Sequence, residues 1–205
     1  MMNIIDVGAN FGEFGISLAK LNPNASIHLI EPFPELYEHL CKVCKDGDFQ
    51  NVVIHEIALG PLDTKTTLNI SKSGDFGTTS LLEFDVIKIN NDPYWATRSD
   101  LKHEVKREVN TLRLKTFLEN QALDKIDFIK IDVQGLDLEV LSSACERISD
   151  IQAGMIEVPT TDESKLYIGE QQNLRKALNF LDETGFTVMA IKPNDPGINE
   201  VNIFF

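Results

Sequence analysis

The acids and glycines of this chain gather where apolar runs end. "DVGANFGEFG", residues 6 to 15, follows the pair Ile4-Ile5 and carries Gly8, Gly12 and Gly15 behind the acid Asp6. Glu31 follows the apolar part of "SIHLIEP", and Asp132 follows that of "DFIKIDVQG", with Gln134 and Gly135 behind it. A glycine turn lets backbone come close to a ligand. A carboxylate at the end of a second strand can accept two hydrogen bonds from ribose hydroxyls. A carboxylate at the end of a central strand can take a proton or orient a ligand.

The loop decides between ligands. A dinucleotide site needs G-x-G-x-x-G so that backbone can reach a pyrophosphate, and here the glycines are spaced four and then three. No Gly-Lys-Ser/Thr is present, so it is not a phosphate-binding P-loop either. What remains is Asp-x-Gly-x-Asn-x-Gly, with Asn10 placed to cap the next helix and Glu13 in the capping-box position. A loop guarded by Asp6 and Glu13 is a poor host for phosphate. It suits an ammonium or sulfonium group, with the helix N-terminus facing a carboxylate. S-adenosyl-L-methionine carries all three. Glu31 alone does not discriminate, because NAD sites use an acid in the same place. Phe33 either packs on an adenine or staples the helix behind it.

These groups need a sheet to hold them. "NIIDV" precedes a helix from about Glu13, with Phe14, Leu18 and Leu21 on one face. "SIHLIEP" precedes a helix opened by Pro34, and "NVVIHEIALG" reads as a third strand. Later "DFIKIDVQG" precedes "LDLEVLSSACERI", with Leu141, Ala144, Cys145 and Ile148 on a face. "AGMIEVP" precedes "EQQNLRKALNFLDETG", with Leu174, Leu178 and Leu181. The alternation predicts an α/β fold: a mostly parallel sheet covered by helices on both faces. "FTVMAIKP" and "EVNIFF" are both strand-like with turn residues between, so the chain ends in an antiparallel hairpin. Residues 61–82 add a short strand and a polar turn. Residues 83–104 lack periodicity and hold the single Trp, so they read as an insertion, either a surface loop or a lid.

The 205 residues fit one domain, 1–205, and the 42% apolar content supports a sizeable core. Nineteen Lys and Arg against 32 Asp and Glu give a formal charge of -13, which disfavours a nucleic acid as substrate. No apolar run suits a membrane span and no export signal is read, so the expected location is cytoplasmic. Cys41 and Cys44 fall mid-helix, where they read as buried residues rather than a redox pair or a zinc site. His28 and His55 lie within strand patterns, His39 lies on a helix face, and His103 is a second candidate base in the insertion. No cluster has metal-ligand spacing, so no metal is inferred.

In order, "DVGANFGEFG", "IEPFPELYEHL", "VVIHEIALG", "GTTSLL" and "IKIDVQGLDLEVLSSA" resemble the FkbM-type S-adenosylmethionine-dependent methyltransferases. The resemblance runs from Asn3 to about Val158. It implies the Rossmann-like class I methyltransferase fold, seven strands with an antiparallel C-terminal strand, and O-methylation of hydroxyls on small molecules or sugars. By resemblance, Asp6, Gly8, Ala9, Asn10 and Gly12 hold the methionine part, and Glu31 with Pro32 and Phe33 the nucleoside. Ile57 and Ala58, ending the third strand, border adenine. Thr79 and Ser80 match a hydroxyl pair beside the site. Asp132, Gln134 and Gly135 lie near the reacting methyl. The family usually has glutamate where this chain has Gln134, so Gln134→Glu is expected to be tolerated. Family members also usually carry a segment before the first strand, and here five residues precede Asp6.

For catalysis the resemblance implies Asp132 and Gln134. Asp132 is either the base for the acceptor hydroxyl or a cofactor-orienting group, and Gln134 cannot be a base. Two other functions stay open: a non-catalytic nucleoside-binding protein of this fold, and a nicotinamide-dependent oxidoreductase. Self-association into a homo-oligomer is left open.

Overall fold

The computed structural model describes residues 2–169 and 172–205. In chain order the elements are β1 (Asn3–Val7), α1 (Glu13–Leu21), β2 (Ser26–Ile30), α2 (Pro34–Asp46), β3 (Val52–His55), β4 (Ala58–Leu59), β5 (Thr64–Ile70), α3 (Val86–Asn91), β6 (Val105–Leu112), α4 (Leu114–Asn120), β7 (Phe128–Ile131), α5 (Asp137–Ser142), β8 (Gly154–Pro159), α6 (Leu174–Glu183), β9 (Ala190–Pro193) and β10 (Glu200–Phe204). Seven strands form a mostly parallel sheet in the order β3-β2-β1-β7-β8-β10-β9. β10 runs antiparallel to both of its neighbours. The terminal hairpin is therefore as read from the two strand-like runs. β4, β6 and β5 make a separate three-stranded sheet. Among the described residues no helix is long and apolar enough to cross a membrane.

The chain divides into two compact units. The first comprises Met1–Thr66, Val109–Asp132 and Val140–Gly154. Its core sets Ile4, Ile27 and Leu29 of the strands against Ile16 and Ala19 of α1 and Leu40 of α2. Pro34 stands at the first position of α2, where its missing N–H costs nothing. The buried face of α1 is Gly15, Ile16 and Ala19, not the predicted Phe14, Leu18 and Leu21, and Leu21 is exposed. The small residues let the helix sit close to the sheet. Cys41 and Cys44 lie in α2 as expected but are half-buried rather than buried. The predicted long helix after β7 is broken: α5 stops at Ser142, and Cys145 takes a positive φ of 53° and is exposed.

The second unit comprises Thr67–Glu108, Val133–Glu139 and Met155–Phe205. The segment 83–104 is not an irregular loop. It forms α3 and a 3-10 turn at Trp95–Thr97, and Phe84, Ile89 and Trp95 pack with Leu166 and Tyr167 in a small core. β6 and then α4, which belongs to the first unit, follow it in the chain, and neither was anticipated. In β6 most of the alternate side chains turn inward, the period-2 signature of a half-buried strand. For α6, Leu181 is buried, while Glu170 and Gln171 of the predicted helical stretch lie outside the described residues.

Candidate functional site

The candidate residues of the first unit lie on and beside the glycine loop. Gly8, Asn10 and Gly12 all have positive φ, at 75°, 50° and 82°. Glycine and asparagine tolerate this region best. The amides of Gly8 and Ala9 both donate to the Ile30 carbonyl at 3.0 Å, which ties the loop to the end of β2. Asn10 does not cap the helix. α1 starts at Glu13 with Gly12 as its N-cap and no side-chain cap, because the left-handed turn at Gly12 has already set the helix entry. The Asn10 amide N–H instead donates to Glu31 Oε2 at 2.8 Å. The Phe33 amide donates to Glu31 Oε1 at 2.9 Å. Glu31 is thus a buried carboxylate held by two backbone donors, with lone pairs left for hydroxyl donors. Burial pushes its pKa up to about 7, against the pull of those two amides.

Asp6 is fully buried at the foot of the loop. Its Oδ2 accepts from the Gly15 amide at 3.0 Å. A Cβ on Gly15 would lie 2.2 Å from Leu29 Cδ2, so the third glycine lets α1 close onto the strands. Asp6 and Lys130 are register partners on adjacent parallel strands. The Lys130 ammonium lies 3.4 Å from Asp6 Oδ1 and 3.2 Å from Asp132 Oδ2. Burial pushes the Asp6 carboxyl up to about 6, with Lys130 pulling the other way. Burial also opposes the charge on Lys130, but Asp132 and Asp6 together hold its pKa above the ordinary lysine value.

Pro32 is half-buried, and Phe33 is buried as the N-cap residue of α2. Ile57 and Ala58 do not end the third strand. β3 stops at His55, and Ala58 opens β4, paired with Thr111 of β6 in the smaller sheet. His28 and His55 stack at 5.3 Å with Phe117 edge-on, the structural role expected of them.

In the second unit Thr79, Ser80, Gln134 and Gly135 come together. Thr79 Oγ1 accepts from the Ser71 amide at 3.3 Å. Ser80 Oγ donates to the Gln134 carbonyl at 2.6 Å. Gln134 and Gly135 take positive φ, at 60° and 102°, so strand alternation no longer governs where Gln134 points. The turn is held by Asp137, which accepts from the amides of Val133 at 3.2 Å and Gly135 at 3.1 Å. The Gln134 amide accepts from the Tyr167 hydroxyl at 2.9 Å and donates to Glu157 Oε1 at 3.3 Å. His103 lies flat on Phe84 at 3.9 Å, and its Nε2 donates to the Thr78 carbonyl at 3.0 Å. Burial lowers its pKa.

Lys130, Asp137, Glu157 and Tyr167 were not singled out in the sequence. Lys130 and Glu157 had a signal, each being a lone charge inside an apolar strand. Tyr167 had none. Among the described residues no group of three or more His, Cys, Asp or Glu could hold a metal.

The first unit fits a ligand with ribose hydroxyls and a cationic end. Glu31 offers acceptors for the hydroxyls. Asn10 Oδ1 is buried with no donor among the described residues, so an ammonium or amide N–H would satisfy it.

Comparison with known proteins agrees with this chemistry. The Methyltransferase FkbM domain matches residues 6–188. Methyltransferase sdnD of Sordaria araneosa is 27% identical over 168 residues, covering 70% of this chain and 60% of that protein. Methyltransferase 1 of Beauveria bassiana (strain ARSEF 2860) is 24% identical over 196 residues, covering 93% of this chain and 74% of its own length. SMU.1697c of Streptococcus mutans, solved with S-adenosylhomocysteine, superposes with a TM-score of 0.53 at 11% identity, over 100% of this chain and 87% of its own. Aeropyrum pernix fibrillarin, solved with natively bound S-adenosylmethionine, gives 0.52 at 13% identity, over 99% of this chain and 65% of its own. These two structures share the class I methyltransferase fold with this chain. On the domain match across most of its length, the chain belongs to the FkbM methyltransferase domain family.

Proposed function

We propose that this protein methylates a hydroxyl on a small molecule or sugar, with S-adenosylmethionine as its cofactor. The observation that carries the reading is Glu31, buried at the end of β2 and held by the amides of Asn10 and Phe33 beside the glycine loop. The cofactor supplies a methyl group on a positively charged sulfur, activated for in-line displacement. The chain must bind it, align an acceptor and exclude water. Glu31 takes the ribose hydroxyls. Asp6, Gly8, Ala9, Asn10 and Gly12 hold the methionine part, with Asn10 Oδ1 open to its ammonium. Ile57 and Ala58 border the adenine, and Pro32 and Phe33 belong to the nucleoside end. The family resemblance assigns Asp132 to the reacting end, and assigns Gln134, Gly135, Thr79 and Ser80 the roles read for them from the sequence. The formal charge of -13 favours a small acceptor over a nucleic acid, and the three free cysteines suit a reducing cytoplasm.

Calorimetry with S-adenosylhomocysteine and with NADH tests the cofactor. S-adenosylhomocysteine should bind and stabilise by about 2.7 kcal/mol at a hundredfold excess over its dissociation constant. Stabilisation by NADH alone would overturn the reading. Methyl release over a panel of alcohols and sugars tests the acceptor, and binding without turnover on any of them would favour a non-catalytic binding protein.

A further inference from the structure

A lysine inside a buried strand is costly unless carboxylates face it. Lys130 stands in β7 with only 13% of its side chain exposed, between Asp6 of β1 and Asp132 at the end of its own strand. The Phe14 ring of α1 lies 6.0 Å from the ammonium, and Glu31 at the end of β2 also feels its charge. The Lys130 ammonium faces Asp6 Oδ1, and its charge and its hydrogen bond both favour the carboxylate. One cation therefore anchors two carboxylates. For Asp132 to take a proton from an acceptor, its ion pair must break, leaving a buried ammonium with half its compensation.

We propose that Lys130 is a positioning residue of the cofactor site, which by bridging Asp6 and Asp132 commits the Asp132 carboxylate to holding the cofactor and withdraws it from proton abstraction. This rests on the reading that the glycine-loop end of the first unit binds S-adenosylmethionine. It resolves the two roles left open for Asp132. The ion pair fixes the carboxylate in place, and the acceptor's proton must leave by another group or by water. Lys130 also opposes the effect of burial on the Asp6 carboxyl, which a cationic ligand end needs as a carboxylate.

The test uses the full chain with Lys130→Met, Lys130→Arg and Asp132→Asn, titrated with S-adenosylhomocysteine from pH 5 to 9. Lys130→Met should weaken binding about tenfold at pH 7 and move the acid fall-off of affinity upward by about one pH unit. Lys130→Arg, which keeps the charge, should restore the wild-type profile. Asp132→Asn should lower cofactor affinity and methyl-transfer turnover by the same factor. A folded Lys130→Met protein with the wild-type affinity and profile overturns the proposal. So does Asp132→Asn that keeps its affinity while turnover falls about tenfold or more, the signature of a base. If Lys130→Met does not fold, Asp132→Asn, nearly isosteric, decides alone. Wild-type protein that binds no S-adenosylhomocysteine removes the functional reading itself. Binding by the wild type with unmoved profiles in the variants removes this inference only.

Discussion

Glu31 and Gln134 carry the sharpest expectations at the scale of single residues. Glu31 accepts two backbone amides and has lone pairs to spare, so Glu31→Ala should weaken S-adenosylhomocysteine binding by about 1.5–3 kcal/mol, the value of hydrogen bonds to a charged group. Calorimetry checks it, and unchanged affinity would mean the ribose is held elsewhere. Gln134→Glu looked harmless from the sequence, since it restores the usual family residue. The packing makes that conditional on pH. Gln134 donates to Glu157, and a glutamate in its place would set one carboxylate against another. Two such groups share a proton, which raises the folded-state pKa of the pair. The stability of the variant should therefore hold at low pH and fall by about 1–3 kcal/mol as pH rises through that value. Melting curves at pH 5 and pH 8 read this directly, and equal losses at both would show that the amide donor to Glu157 does not matter.

At the scale of elements, the segment that follows Glu83 changes character most. Its sequence has no helical or strand period, yet it folds around Trp95, which is 5% exposed in a core with Phe84, Ile89, Leu166 and Tyr167. Arg98 pairs with Asp75 and Asp100 at 2.8 and 2.7 Å and pins its far end. Trp95→Ala should cost about 3–5 kcal/mol, as large-to-small changes in packed cores do. A surface loop would lose about 0.5 kcal/mol or less. Urea unfolding with an unchanged m-value measures the difference.

For the whole molecule, two sets of buried or half-buried titrating groups pull stability in opposite directions with pH. Burial lowers the pKa of His28 and of His55, the latter to about 4, with His28 adding to the shift at His55. Their neutral forms stabilise the fold fully above the ordinary histidine value of about 6.5, and that contribution is lost as pH falls from there toward 4. Asp6 and Glu31 are raised to about 6 and about 7 by burial. Their contribution is complete below the ordinary carboxylate values near 4 and is lost as pH rises through 6 to 7. Differences from wild type separate the two sets in ligand-free protein. The melting temperature of His55→Gln should gain on wild type as pH drops from 6.5 to 4. That of Glu31→Gln should gain on wild type as pH rises from 5 to 8. Parallel curves for either variant would place that group in a solvated, unshifted environment.

Local chemistry made much of this protein legible in its sequence. The strand–helix alternation, the terminal hairpin and the Asp-x-Gly-x-Asn-x-Gly loop depend on periodicity and on residues that tolerate positive φ, which are properties of neighbours in the chain. Glu31 was readable because a strand end fixes where its carboxylate stands. Tertiary structure decided what depends on partners far away in sequence. Asn10 looked like a cap until the turn at Gly12 set the helix entry. Ala58 looked like the end of a third strand until it paired with Thr111. Lys130 was a lone charge in an apolar run two residues from Asp132, and only the register of β1 against β7 set it beside Asp6 as well. A buried charge takes its meaning from what faces it, and strand pairing is what brings Asp6 to Lys130.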